Sequence, residues 1–289
     1  MNPFIQSLRL RTLPLSMSGI ILGSGLALEA YPRLLSEGKG VWVFILAICT
    51  TLSLQILSNL SNELGDAQKG TDSEQHGRTA YGLQAGRITE KQIKGMIWLF
   101  LGLCILFGVS LIYSAFGTLF CTQSLVFIGL GLLAIIGAVT YTLGKHSYGY
   151  MGLGDLGVLV FFGLLSTMGS YYLQVQTMTW EVIWSGVAIG LPCVGVLNLN
   201  NLRDMANDIK HGKRTFASWL GPRDGRIYHT CLLIGCLSIF ALYGHWWTLC
   251  IAPIWVWHIW YIWTHDEKLD KQMPILMFST LIVSILALF

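Results

Sequence analysis

The stretch 41-VWVFILAICTTLSLQILSNLSNELGDAQKG-70 decides how the rest of the chain is read. Its first half is continuous apolar sequence. Its second half keeps an apolar background but places Gln55, Asn59, Asn62 and Asp66 at offsets of 0, 4, 7 and 11. Those offsets stack four polar side chains on one face of one helix. About 20 mostly apolar residues in a helix span a bilayer. The segment near 41–61 therefore reads as a membrane span whose polar stripe runs out to one membrane surface.

Working outward, the same apolar density recurs along the chain. Of 289 residues, 54% are hydrophobic and 11% charged, with a mean hydropathy of +0.60. A soluble domain carries roughly 25% charged residues, and a soluble core of this length has no room for so much apolar surface. Nine spans are predicted, near 13–30, 41–61, 94–114, 119–142, 155–174, 180–201, 227–244, 246–264 and 272–289. The seventh and eighth are divided only by Gly244 and His245. None of the segments alternates in the way a β-barrel strand does, so the fold class is an all-α membrane bundle, a single domain over 1–289. The first run, 13–30, follows Arg9 and Arg11 but is long enough to span and is followed by further spans. It reads as a retained helix rather than a signal peptide.

Basic residues orient the bundle. With the N-terminus cytoplasmic, sixteen of the eighteen Lys and Arg residues fall on the inner side and only Arg33 and Lys39 fall outside. Such a bias is what the positive-inside rule demands. It predicts an inner N-terminus and an outer C-terminus. The two long polar loops, 62–93 and 202–226, are both inner, so polar chemistry gathers at one face. A secondary transporter of an anionic metabolite, the alternative from a different functional class, places ionisable groups near the midplane in interrupted helices.

The second loop opens with a partner to the first motif. In 200-NNLRDMANDIKHGKRT-215, Asn200, Asp204 and Asp208 follow at i, i+4 and i+8, with Asn201 and Arg203 beside them. Each block has Asn-x3-Asp at the inner end of a helix, followed by basic residues and a glycine, a weak internal repeat. Like charges gathered beside lipid are unfavourable unless neutralised. Mg²⁺ does so, because it takes one or two carboxylates together with phosphate oxygens. Two facing acidic sets with Asn carbonyls suit a Mg²⁺-bridged diphosphate, and Lys69, Lys145, Arg203, Lys213 and Arg214 are available for the remaining phosphate charge.

At these residues the chain resembles the UbiA superfamily of intramembrane prenyltransferases. The matches are RTLP at 11–14, NELGDAQKGTD at 62–72, YGYMGLGD at 148–155, FFG at 161–163 and the 200–215 block. They extend over essentially the whole chain and look most like the branch that prenylates 1,4-dihydroxy-2-naphthoate in menaquinone synthesis. Many members read Asn-Asp-x2-Asp-x3-Asp at the first motif. Here Glu63 takes the second place, Gly70 the last, and the next acid is Asp72, a wider spacing that suits the naphthoate branch.

The resemblance implies nine helices, Mg²⁺ as cofactor, a polyprenyl diphosphate and an aromatic acceptor as substrates, a bilayer setting and no nucleic acid. It implies ionisation of the allylic diphosphate and attack by an electron-rich aromatic carbon, with loss of CO₂ for the naphthoate. Other acceptors within the family are 4-hydroxybenzoate and the porphyrin vinyl group of haem. Carried over by position, Asp66, Asp204 and Asp208 are the catalytic and metal-binding carboxylates, with Asp72 as a further metal ligand. Asn62, Asn201, Lys145 and Arg203 bind the diphosphate. Tyr141, Tyr148 and Phe162 line the cavity and shield the cation, and Arg11 meets the acceptor's carboxylate.

The remaining chemistry-bearing residues read as structure. No cysteine sits in a CxxC pair, no histidine in an HExxH motif, and the tryptophans between 246 and 263 form an interfacial aromatic belt.

Overall fold

The computed structural model describes residues 2–34, 38–70, 82–145 and 147–289. Among them there is no β-strand, only an isolated bridge between Met151 and Arg214. The chain runs as α1 (Pro3–Ser7), α2 (Leu13–Ala30), α3 (Lys39–Lys69), α4 (Glu90–Phe116), α5 (Thr122–Thr140), α6 (Gly154–Val158), α7 (Ser166–Val175), α8 (Trp180–Lys210), α9 (Phe216–Leu242), α10 (Ala252–Thr264) and α11 (Gln272–Leu286). A π-helical segment, Leu159–Leu165, joins α6 to α7 without interruption. The protein is a multi-pass membrane protein, with eight helices long and apolar enough to cross a bilayer among the described residues. The predicted span 246–264 is divided into a 3₁₀ stretch, Trp246–Ile251, and the 13-residue α10.

Local sequence explains the ends. Thr89 and Thr215 form capping boxes at the starts of α4 and α9, satisfying amides that have no intrahelical partner. α3 stops at Gly70, whose φ of 71° is a left-handed cap that glycine adopts without steric cost. The glycine that replaces the family's last motif acid is thus a helix terminator. Asp72 lies outside the described residues.

Helix α8 is the centre of the bundle. Of its most apolar 18-residue window, 72% is buried within the protein, against 11% for α5. α5 is therefore peripheral, with Leu125, Leu132, Leu133 and Ile136 exposed where lipid solvates them. The core between α2, α8, α9, α10 and α11 is built from Leu22, Ile189, Leu199, Leu233, Phe240, Trp255 and Leu276.

Close helix approach rests on small residues, as bilayer helices require when lipid gives them no hydrophobic drive to associate. A Cβ added at Gly23 would lie 2.1 Å from the Thr167 carbonyl oxygen, and one at Gly163 would lie 2.6 Å from the Gly186 carbonyl oxygen. These contacts lock α2 and α8 against the α6–α7 helix.

Two substitutions separate this packing from generic helix preference. Gly23→Ala forces two backbones apart and lowers thermal stability in detergent, at an overpacking cost of about 1–3 kcal/mol. At Gly102 nothing lies within 4 Å of an added Cβ. Gly102→Ala is neutral or stabilising by up to about 1 kcal/mol, from helix propensity. Equal melting temperatures for the two variants would contradict this packing.

Candidate active site

The polar stripe read from α3 faces inward as its spacing requires. Gln55, Asn59, Asn62 and Asp66 all line one cavity of ≈ 380 Å³, and so do Asn200, Asp204 and Asp208 from α8. The two acidic motifs, 138 positions apart, thus share a single space. Tyr141, Tyr148, Phe162 and Lys213 line it too.

Around the carboxylates stand Lys69, the last residue of α3, and Lys213, in the turn after α8. Tyr150 Oη donates to Asp66 Oδ1 at 2.9 Å. The Tyr150 ring lies 3.8 Å from Lys69 Nζ and 5.6 Å from Lys213 Nζ, geometry in which a π face attracts a cation. Lys213 Nζ lies 3.0 Å from Asp208 Oδ2, with Asp208 fully buried. Lys69 donates to the Thr142 carbonyl at 2.7 Å and to Ser147 Oγ. Thr142 Oγ1 donates to Asn62 Oδ1 at 2.6 Å. The amide of Arg214 donates to the Tyr150 carbonyl at 3.1 Å, which holds the 148–151 turn against the 211–214 turn. Tyr150 is therefore the residue through which both motifs and both lysines are connected. Sequence reasoning passed over it, although it stands inside the quoted YGYMGLGD motif.

Arg203 takes a different place from the one expected. It does not line the cavity; its guanidinium grips Asp204 from behind. Nε donates to Asp204 Oδ1 at 2.7 Å and Nη2 to Asp204 Oδ2 and, at 2.8 Å, to Asn200 Oδ1. A second pairing runs to Asp270. Asn201 is buried outside the cavity lining, about 100° around α8 from Asn200. Lys145 is exposed and outside the lining. Arg11 is likewise exposed, and the arginine that lines the cavity is Arg9.

Tyr141 and Tyr148 meet edge to face, with centroids 5.2 Å apart. Tyr148 Oη donates to the Gly137 carbonyl at 3.0 Å. Burial pushes its phenol up to about 12.

Glu63, the other departure from the family motif, points away from the cavity. It is fully buried. Its Oε1 accepts from Ser7 Oγ at 3.2 Å and from the Leu83 amide at 2.7 Å, pinning α1 and the 82–88 turn onto α3.

The donor set fits Mg²⁺ delivered with a diphosphate. Among the described residues no group of three His, Cys, Asp or Glu side chains is arranged to hold a metal ion alone. Mg²⁺ needs only one or two carboxylates, with phosphate oxygens and water completing its octahedron. The Arg203 fork orients the Asp204 carboxylate through both of its oxygens.

One turn and more below Asp66, the cavity divides into two unlike walls. The wall from residues 9–20 and α3 is polar, with Arg9, Thr12, Ser16, Gln55, Ser58 and Asn59. A second wall, from α5 and the π-helical segment into α7, is mostly apolar, with Phe127, Ala134, Phe161 and Leu165 beside Ser166 and Ser170. The lining stops at Ile20, Ala47, Leu111 and Leu173, which close into an apolar cluster with Val43 and Ala115.

Comparison with known proteins follows the same outline. Residues 16–283 match the model of the UbiA prenyltransferase family. The 1,4-dihydroxy-2-naphthoate octaprenyltransferase of Haemophilus influenzae is 44% identical over 237 residues, 82% of this chain and 74% of that one. The protein of the same name from Escherichia coli K12 is 42% identical over 260 residues, 87% and 82% of the two chains. The apo structure of a UbiA homolog from Aeropyrum pernix K1 superimposes with a TM-score of 0.66 at 16% identity, covering 98% of this chain and 96% of that one. That of a homolog from Archaeoglobus fulgidus bound to DMAPP and Mg²⁺ gives 0.63 at 12% identity, covering 99% and 98%.

Tyr150 offers a direct check of how the motifs are joined. Tyr150→Phe keeps the ring beside both lysines and removes only the donor to Asp66. It weakens Mg²⁺–pyrophosphate binding, measured calorimetrically in detergent, by roughly tenfold, as expected for a hydrogen bond to a charged group. Tyr150→Ala loses the ring as well and weakens binding further. Wild-type affinity in both variants would rule Tyr150 out as the connection.

Proposed function

The chain belongs to the UbiA prenyltransferase family, and on that premise we propose that it transfers a polyprenyl group from polyprenyl diphosphate to 1,4-dihydroxy-2-naphthoate. The single observation that carries the reading is the joint lining of one cavity by Asp66, Asp204 and Asp208, below which an apolar wall descends into the bundle. A diphosphate head fits the first and an isoprenoid tail the second. The names of the relatives at 42% and 44% identity support the choice of acceptor.

In the proposed reaction Asp66, Asp204 and Asp208 hold the diphosphate through Mg²⁺, with Asn62 beside them. Mg²⁺, when bound, offsets the negative charge that grows on the leaving diphosphate. Lys213, which lines the cavity, contacts the same oxygens as a preorganised cation, and Lys69 stands behind it across the Tyr150 ring. Arg203 acts behind Asp204, fixing its orientation. The allylic C–O bond breaks and its electron pair leaves with the diphosphate. The rings of Tyr141, Tyr148 and Phe162 face the resulting cation and exclude water. The acceptor's ring carbon then supplies the pair for the new C–C bond. The carboxylate on that carbon departs as CO₂, and the pair it leaves behind restores the aromatic ring. Nothing in the sequence of bonds calls for a redox cofactor.

The membrane arrangement belongs to the same proposal. The broken segment 246–264 counts as the ninth crossing, giving a single domain over 1–289 with a cytoplasmic N-terminus and an outer C-terminus. The cavity then opens to the cytoplasm, where a soluble diphosphate head and an acidic acceptor are met. Closure of the opposite end by the Ile20, Ala47, Leu111 and Leu173 cluster supports an enzyme over a transporter, since transport needs an exit on that side.

The deciding assay is mass analysis of products from purified protein given farnesyl diphosphate, Mg²⁺ and dihydroxynaphthoate. A decarboxylated, farnesylated product forms, disappears with EDTA and returns with Mg²⁺. Asp204→Ala inserts into membranes normally and turns over at least 10²-fold more slowly, the scale set by losing a group that stabilises developing charge. Product formed in chelator, or wild-type turnover in Asp204→Ala, defeats the proposal.

A further inference from the structure

We propose that Asp270, in the 3₁₀ turn between α10 and α11, is a positioning residue for the diphosphate site: it fixes the Arg203 fork and takes a share of its charge, and so sets how strongly Asp204 draws Mg²⁺. This rests on the function proposed above and adds to it a residue outside both acidic motifs.

The fork is held from two directions. A guanidinium has five N–H donors in one rigid plane, and Arg203 makes five contacts. Nε donates to Asp204 Oδ1 at 2.7 Å, and Nη2 donates to Asp204 Oδ2 and, at 2.8 Å, to Asn200 Oδ1. Nη1 donates to Asp270 Oδ1 and, at 3.6 Å, to Met273 Sδ. Three contacts thus stay within α8, and two come from residues 67 and 70 positions further along the chain. Contacts along one edge alone let a planar group swing about that edge. The pair at Nη1 stops the swing.

The Asp270 side chain is 56% exposed, and an exposed ion pair ordinarily contributes little, because forming it orders two side chains. Here the neighbours supply the order. Leu269 and Gln272 are buried on either side. Gln272 Oε1 accepts from His258 Nδ1 at 2.8 Å, and His258 Nε2 lies 3.0 Å from His229 Nε2. That buried chain ties the start of α11 to α10 and α9. Met273, which touches Arg203, also lines the cavity. A turn fixed from beneath therefore presents Asp270 to Arg203 on a short side chain.

The charge count gives the pair its effect. One guanidinium stands against two carboxylates, so the three side chains carry a net negative charge, and of the two acids it is Asp204 that lines the cavity. With Asp270 neutralised, Arg203 and Asp204 cancel, and the pull of the rim on a divalent cation falls.

Calorimetric titration of pyrophosphate into purified protein, at a series of Mg²⁺ concentrations, tests this without turnover. Asp270→Asn keeps an acceptor for Nη1 and removes the charge. It raises the Mg²⁺ concentration for half-maximal pyrophosphate binding by roughly three- to tenfold, the scale of one partly screened charge acting on a divalent ion. Asp270→Ala shifts that midpoint at least as far. Asp270→Glu, which keeps the charge, stays within about twofold of wild type. In the prenyl-transfer assay Asp270→Asn recovers wild-type kcat at saturating Mg²⁺. A merely structural role lowers kcat at every Mg²⁺ concentration and leaves the midpoint unmoved. That pattern, or a shift in Asp270→Glu as large as in Asp270→Asn, would overturn the assignment. The two readings fail separately. If the midpoints move as stated but wild-type protein does not prenylate dihydroxynaphthoate, Asp270 keeps its place behind the metal site and the choice of reaction falls.

Discussion

Three carboxylates held together at the rim of a lipid-embedded bundle are the constraint around which this protein is organised. Brought close in a medium of low polarity, Asp66, Asp204 and Asp208 repel one another. The fold answers with three cations at fixed places, Lys69, Arg203 and Lys213, and with the Tyr150 ring between two of them. The two 31-residue helices that carry the acids, α3 and α8, are correspondingly long and end together at that rim. Lys69 and Arg203 stand on those helices themselves, and the turns 148–151 and 211–214 add Tyr150 and Lys213. The arrangement is balanced enough to fold and gathers at one rim carboxylates of the kind a hard cation takes and cations of the kind a diphosphate takes.

Much of this was legible in the linear chain, because it depends on periodicity within single helices. The offsets of Gln55, Asn59, Asn62 and Asp66 define one face whatever the helix packs against, and that face is the one turned inward. The same holds for Asn200, Asp204 and Asp208. What was not legible depends on contacts between segments. Arg203 looks like a phosphate ligand in a basic stretch, but its fork is spent on Asp204. Asn201 sits next to Asn200, yet one helical step turns it out of the lining. Arg9 and Arg11 are equivalent by composition. A single left-handed residue, held by Thr12, makes one internal and the other external. Tyr150 has no signal of its own beside Tyr148 in a short motif. The segment 246–264 has the hydropathy of a span but not a continuous α-helix, since hydropathy measures solvation and is blind to where a chain tightens into 3₁₀ turns.

The departures from the family motif find structural reasons. Gly70 ends α3 in a left-handed cap, where an aspartate would be strained. Glu63 lies on the side of α3 away from the chemistry and fastens the N-terminal segment that presents Arg9. Two residues that appear, in the motif, to be altered catalytic acids are instead part of the scaffold that shapes the polar wall.

The π-helical segment Leu159–Leu165 has a consequence for how the apolar wall tolerates change. A π turn closes its hydrogen bonds one residue later than an α turn, so it stores surplus chain inside a helix that otherwise cannot lengthen. Removing one residue there lets the helix tighten to an α turn while the flanking faces keep their bearings, so that Val158 on one side and Leu173 on the other still look inward. Anywhere else in the bundle the same deletion swings every later side chain by about 100°. The segment is thus a joint at which insertion and deletion can reshape the bore without unthreading the bundle around it.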